Sequence, residues 1–363
     1  MSKTEYICTQ LIPDKNKNKT NIINNLNSKN PLKAAFYKDK LWPQNSVLTI
    51  GFYDLSPNIS ITPPDDLKRN NSNSEPDPLQ LEFYNEYQNN KSVDIIKWIK
   101  RIIKSRYERI VNLRFDFIND VENAKIRIDF DESEGSYSYV GTDSLKQKGK
   151  TTNFGWFDVA TVMHEMGHVL GLIHEHQNPD GENIKWNIQK LNSYMEETQG
   201  WSADQTYIQI VKKYDVNQIN GSLFDPLSIM EYFFPANLTK NKKGIKQNLR
   251  LSGLDVKYIS KSYPKKDMTI EELNNIYESW YNESIEENIK KSKQLNQQLQ
   301  SPSSINTQSI ILIVIGCVLG AIIIAFIIYF SVNYKVCSLT KCMYTFVSSS
   351  STCNFNFSSK NFF

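Results

Sequence analysis

The sequence predicts an α+β fold with a mixed twisted sheet, a central histidine-bearing helix and a helical C-terminal part, followed by one transmembrane helix. Three observations carry that expectation. Short alternating apolar segments are interleaved with longer amphipathic ones. All four histidines of the chain fall within TVMHEMGHVLGLIHEH, at positions 164, 168, 174 and 176. The run SIILIVIGCVLGAIIIAFIIYF, residues 309–330, carries no charge and is about as long as a membrane-spanning helix needs to be.

The 363 residues are 40% hydrophobic and 22% charged, enough for one large domain or two small ones with a packed core. The formal charge is +3, with the lysines scattered through Asn-rich segments. No aromatic-interleaved basic stripe appears, so nucleic acid is not expected as a partner. The five cysteines are Cys8, Cys317, Cys337, Cys342 and Cys353. None lies between Lys33 and Pro264, so that region holds no internal disulfide, a pattern that suits a reducing compartment.

Along the chain, residues 1–31 read as a disordered leader, since DKNKNKTNIINNLNSKN offers little that packs. A folded domain is expected over 32–265. It opens with LWPQNSVLTIGFYD, a strand candidate at 47–53, and the breaker-rich PPDDLKRNNSNSEPDP follows as a loop. DIIKWIKRIIKSRYERIV, residues 94–111, has Ile95, Trp98, Ile99, Ile102, Ile103 and Ile110 on one broad face, which predicts a core-facing helix. LRFDFI and AKIRIDF are strand candidates, the second with Ile126 and Ile128 on one face and Arg127 and Asp129 on the other. GSYSYVG, residues 135–141, is a glycine-bounded candidate for an edge strand. A helix over 158–170 carries the first two histidines. LSGLDVKYISKSY forms another, with Ser252 and Asp255 at capping-box spacing and Pro264 stopping it. Residues 266–308 are expected as a helical stalk, opened by Thr269 and Glu272, with a polar linker. The membrane span at 309–330 and a short polar tail at 331–363 complete the chain.

His164 and His168 are four apart, which on a helix stacks their imidazoles one turn above each other. Glu165 points to the adjacent edge, within reach of a metal-bound water without being a ligand. This is the H-E-x-x-H zinc arrangement. Gly171 permits left-handed backbone, so it can end the helix and bring His174 to the same ion from outside it. Three imidazole nitrogens leave a fourth position open, the layout of a catalytic rather than a structural zinc. Isolated H-E-x-x-H matches occur in helices that bind nothing. Five specified positions, in a chain with no histidine elsewhere, are far more selective.

HEMGHVLGLIH resembles the extended motif of the metzincin metalloproteases, and Glu175 directly after the third histidine resembles the astacin family in particular. SIMEYFF, residues 228–234, is similar to the astacin Met-turn. The resemblance implies a zincin-like metalloprotease domain holding one catalytic Zn2+ on His164, His168 and His174, with Glu165 and Tyr232 as catalytic residues. It implies Met230 as an apolar floor beneath the metal, and Gly171 and Glu175 as supports of the site. It also places Gly135, Ser136, Tyr137, Ser138 and Tyr139 on a strand that aligns substrate, with Ser136 where the animal enzymes carry cysteine. Asn178 stands where those enzymes carry an arginine. The cysteine-poor text resembles microbial and viral-type relatives with a C-terminal anchor.

The function expected from this resemblance is zinc-dependent hydrolysis of peptide bonds in extended polypeptides, with Glu165 as general base. The alternative is a catalytically silent, membrane-tethered zinc- or peptide-binding module. The expected partners are a peptide or protein substrate and a lipid membrane met through residues 309–330. A single-pass protein is expected, with the protease domain on the cytoplasmic side and the opposite topology as the alternative. His176 is expected at the surface or beside the ligands, and not as a ligand itself.

Overall fold

The computed structural model describes residues 9–11, 36–62, 72–90, 93–179, 184–215, 219–220, 224–231 and 233–300. Among them a six-stranded sheet runs β1 (Thr9–Leu11), β6 (Tyr137–Tyr139), β7 (Thr152–Asn153), β5 (Ile126–Asp129), β3 (Val47–Phe52) and β4 (Arg114–Phe117). All neighbours are parallel except β6 and β7. A separate antiparallel pair joins β2 (Phe36–Tyr37) to β8 (Ile219–Asn220). The alternation in AKIRIDF holds: Ile126 and Ile128 are buried against the core. Arg127 lies on the other face and is buried too, its guanidinium satisfied by the carbonyls of Ala124, Gln147 and Gly149.

Several helices share that core. The helix expected over 94–111 is α2 (Ile95–Ile102), which continues as a π-helical turn, Ile103–Glu108. Asp94 caps it by accepting the Lys97 N–H at 2.9 Å, a contact of about 1 kcal/mol. The histidine helix is α3 (Val159–Val169), buried along its whole length. Asp158 caps it, accepting from Thr161 N at 2.6 Å and, on its other oxygen, from Thr62 Oγ1 and Trp156 Nε1. Tyr107 of the π-helical turn donates to the Met163 carbonyl at 2.5 Å, tying α2 to α3.

Helix α1 (Pro78–Asn90), which follows the Pro-rich loop directly, has no counterpart among the elements expected from sequence. Its start is conventional once seen. Pro78 stands in the first turn, where no N–H is needed, and the Asp77 carboxylate accepts the Leu79 N–H at 2.9 Å. That same carboxylate holds Arg106 through two bonds of 2.6 and 2.7 Å, and takes the Tyr281 hydroxyl at 2.8 Å.

A second apolar cluster forms below the site. It joins α4 (Ile188–Gln199) with α5 (Ala203–Thr206) and its π-helical continuation, through Trp186, Leu191, Met195, Ile210, Phe234 and Leu238.

The C-terminal part corrects one expectation. α6 (Gly253–Ser262) has the Ser252/Asp255 capping box, and α7 (Ile270–Tyr281) has the Thr269/Glu272 box. However, α7 and α8 (Ile285–Gln300) are not a projecting stalk. They fold back, and Leu273, Tyr277, Trp280, Tyr281 and Ile285 are buried in the same core as the sheet and α3. The apolar residues at 273, 277, 280 and 281 recur at helical spacing, and burying them outweighs the polar character of the rest. Among the described residues no helix is long and apolar enough to cross a membrane. The expected leader at 1–31, apart from β1, the span at 309–330 and the tail at 331–363 lie outside the described residues.

Candidate metal centre

The end of α3 explains how three histidines converge. Gly171 adopts φ of 98°. The Gly171 N–H bonds to the His168 carbonyl at 2.8 Å and the Leu172 N–H to the Gly167 carbonyl at 3.0 Å. These two bonds are a Schellman closure, which needs a left-handed residue where Gly171 stands. The chain then reverses and returns His174 to the face that carries His164 and His168. The ring of His174 lies 5.4 Å from that of His164 and 4.6 Å from that of His168, and the helical pair are 4.9 Å apart.

One ligand atom from each of the three lies within 4.8 Å of the others, and all three residues are buried. His164 Nδ1 meets the Ile229 carbonyl at 2.8 Å, and His168 Nδ1 meets the Leu172 carbonyl at 2.9 Å. A carbonyl accepts only, so each Nδ1 carries the proton and each Nε2 keeps its lone pair for a metal. His168 Nε2 and His174 Nε2 stand 2.9 Å apart, aimed at one point. Burial pushes His164 down to about 4, and burial with the neighbouring imidazoles holds His168 and His174 well below the ordinary range. The imidazoles are therefore neutral near pH 7, the form that ligates. Three neutral nitrogen donors, two of them with tautomers fixed by a carbonyl, fit one zinc ion and leave a fourth position for water or substrate.

Glu165 is fully buried on α3 beside His164. Met230 is also fully buried, beneath the helix at Gly167. Residues 228–231 form the turn around it: Met230 N–H bonds to Ser228 Oγ at 3.0 Å, and Glu175 N–H bonds to the Met230 carbonyl at 3.0 Å. Tyr232 lies outside the described residues.

Glu175, next in the chain to His174, is held in a network of buried polar groups. A Glu175 carboxylate oxygen accepts Asn178 Nδ2 at 2.8 Å and the Asp225 N–H at 2.9 Å. Burial first, then the nearby Asp225 charge, push Glu175 up to about 8. Asn178 thus serves as a neutral donor to Glu175. His176 is not at the surface: it is buried, stacked 5.3 Å from His174 and set edge-on to Phe234. It stands outside the three-histidine cluster.

The expected substrate-aligning residues meet a neighbour that the sequence did not announce. Gly135, with φ of 70°, and Ser136 lead into β6, and Ser136 Oγ accepts the Gly155 N–H at 3.1 Å. Tyr137, Ser138 and Tyr139 form β6 itself, with Ser138 Oγ 2.9 Å from Thr152 Oγ1 of β7. On its other side β6 is not an open edge. Thr9, Gln10 and Leu11 pair with it in parallel, in register with Tyr137, Ser138 and Tyr139.

Two carboxylates of the site were not singled out from sequence. Asp225 had no local signal, and Asp255 was visible only as half of a capping box. In the structure Asp255 accepts Ser228 Oγ at 2.7 Å and the Ile229 N–H at 2.8 Å, and Ser228 Oγ accepts the Met230 N–H, which shares a peptide unit with the Ile229 carbonyl that orients His164. Burial, then the charge of Asp225, raise Asp255 to about 7.

Known proteins are similar to this chain in sequence. The zinc metalloproteinase nas-36 of Brugia malayi is 36% identical over 109 residues, covering 30% of this chain and 18% of its own length. That of Haemonchus contortus is 31% identical over 98 residues, covering 26% and 16%. The chain therefore spans under a fifth of the curated relatives it matches. A solved structure of myroilysin aligns with a TM-score of 0.48 and 29% identity, covering 64% of this chain and 100% of that one. Residues 73–264 match the astacin peptidase family, across every histidine, the Met-turn and α6. With that match spanning more than half of its length, the chain belongs to the astacin family of zinc metallopeptidases.

Proposed function

We propose that this chain is a zinc-dependent endopeptidase that hydrolyses peptide bonds in extended polypeptide substrates. The observation that carries it is the convergence of three neutral imidazoles beside the buried carboxyl of Glu165. Zinc held there would polarise the scissile carbonyl and lower the pKa of water at the open position. Glu165 accepts the proton of the attacking water and passes it to the leaving amine nitrogen. Tyr232, by its place in the Met-turn motif, donates to the oxygen that becomes negative. The substrate lies extended along β6, held by main-chain hydrogen bonds, and to do so it displaces Thr9–Leu11.

The peptidase unit extends beyond the expected boundary at 265, because α7 and α8 complete its core. It is a cysteine-poor member, with no cysteine between Lys33 and Pro264. Residues 309–330 tether it to a membrane, with the peptidase unit on the cytoplasmic side. Glycans at Asn58, Asn220, Asn237 or Asn282 in cells would place it on the other side.

The test is a paired assay of wild type and Glu165→Gln on a peptide library, with zinc content measured in both. The variant should keep zinc and lose about 10²–10⁴-fold in kcat. Equal rates would remove Glu165 from the mechanism. Zinc bound without cleavage by the wild type would leave a silent binding module.

A further inference from the structure

The family match ends at residue 264, but the support of the metal centre does not. α8 meets the start of α6 at Gly253, whose N–H donates to Asn288 Oδ1 at 2.6 Å. A Cβ at 253 would stand 2.8 Å from the Ile285 carbonyl oxygen, so glycine is what lets the two helices close. One turn on from Asn288, the Ser292 hydroxyl, 2% exposed, donates to Asp225 Oδ1 at 2.6 Å. The other Asp225 oxygen accepts the Ser252 hydroxyl at 2.6 Å.

Two paths run from Asp225 to the ligands. Its backbone N–H donates to the Glu175 carboxylate, and Glu175 directly follows His174. Its side chain orients Ser252, whose Oγ accepts the Asp255 N–H at 2.9 Å at the start of α6. Asp255 in turn accepts the Ile229 N–H and the Ser228 hydroxyl, Ser228 Oγ accepts the Met230 N–H, and the carbonyl of that same 229–230 peptide unit fixes His164 Nδ1.

We propose that Ser292, beyond the segment shared with the family, is a positioning residue for the metal centre: by orienting the Asp225 side chain it fixes the groups that hold His164. Asp225 Oδ1 also accepts the Leu227 N–H at 3.0 Å, so without Ser292 that oxygen keeps one donor of two, and the carboxyl turns to recover the other. Turning the Asp225 side chain draws its other oxygen away from Ser252, so the path to His164 loosens. Residues that orient ligands from behind typically change metal affinity by about 10–100-fold. Ser292 lies one layer further out, and a smaller effect is expected.

The test uses the full chain loaded with zinc. Excess chelator is added and zinc release is followed with a colorimetric dye, alongside kcat, KM and the melting temperature of the zinc-free protein. Ser292→Ala should release zinc about three- to tenfold faster than wild type, with kcat lowered and KM unchanged. Ser292→Thr, which keeps the hydroxyl, should restore the wild-type rate. Tyr277→Phe removes another hydroxyl of the same helical pair, one that contacts Leu251 and not Asp225, and should leave release unchanged. If Ser292→Ala fails to fold, Ser292→Cys fills the same place with a weaker donor and should show the faster release. Release at the wild-type rate by a folded variant overturns the proposal, as does an equal effect of Tyr277→Phe. The proposal rests on the peptidase reading only through kcat: faster zinc release in a chain that cleaves nothing would uphold the positioning and sink the peptidase.

Discussion

Gly167 and Met230 are in direct apposition: a Cβ built on Gly167 would stand 2.5 Å from the Met230 sulfur and 3.3 Å from a methyl of Leu172. The glycine within HEMGH therefore has a packing reason. It lets the thioether floor rise against the helix between the two histidines that α3 supplies. Gly167→Ala must push Met230 away or lift the helix, with the overpacking cost of about 1–3 kcal/mol. Denaturant unfolding of the zinc-free protein should show that loss. Stability equal to wild type would mean that the floor yields freely.

Only three of the four histidines should matter for metal. An ion bound to the folded state alone adds about 2.7 kcal/mol when present at 100 times its dissociation constant. Chelation should therefore lower the melting temperature of wild type and of His176→Ala. His174→Ala should melt at one temperature with or without chelator. A chelator response that survived in His174→Ala would reassign the third ligand.

Because β1 covers β6, removing residues 1–31 exposes the main-chain groups of Tyr137, Ser138 and Tyr139. If peptides bind by adding a strand there, the shortened chain should cleave a fluorogenic peptide with a lower KM and a kcat/KM raised several-fold. An unchanged KM would show that substrates do not use this edge.

The pH dependence should single out Asp255. Its carboxyl is raised from 3.8 to about 7 in the folded protein, so the folded state binds more protons than the unfolded state between those values. Its contribution to stability is complete below about pH 4 and is lost as pH rises through 7. The buried histidines, with lowered values, slope the opposite way over part of the range. The informative quantity is thus the difference between variants. Asp255→Asn keeps an acceptor for the Ile229 and Ser252 N–H groups and removes the titration. Relative to wild type, the stability of the zinc-free variant should improve from pH 4 to pH 7 in urea titrations. A constant difference would assign the slope elsewhere.

Much of the centre was legible because its logic is local. The i, i+4 pair, the glycine after it and the third histidine three residues on lie within a single helix end, where 3.6-residue geometry dictates what can meet. The capping boxes at Ser252 and Thr269 and the core face of α2 were readable for the same reason. Helix α1 was masked by the Pro- and Asn-rich text before it, although Asp77-Pro78 is a start signal. The apolar spacing at 273, 277, 280 and 281 was present too, but helical periodicity does not say whether such a face finds a partner.

By itself the sequence determined the chemistry: which nitrogens can bind, which carboxyl stands beside them, and where the helix must end. The tertiary structure alone decided what holds that chemistry in place. Asp225 lies 50 residues from Glu175 and 67 from Ser292, and β1 lies more than a hundred residues from the strand it covers. Contacts at such separations leave no periodic trace in the chain. They arise when the closing of a shared core brings distant polar groups together, and each buried group must then find its partner there.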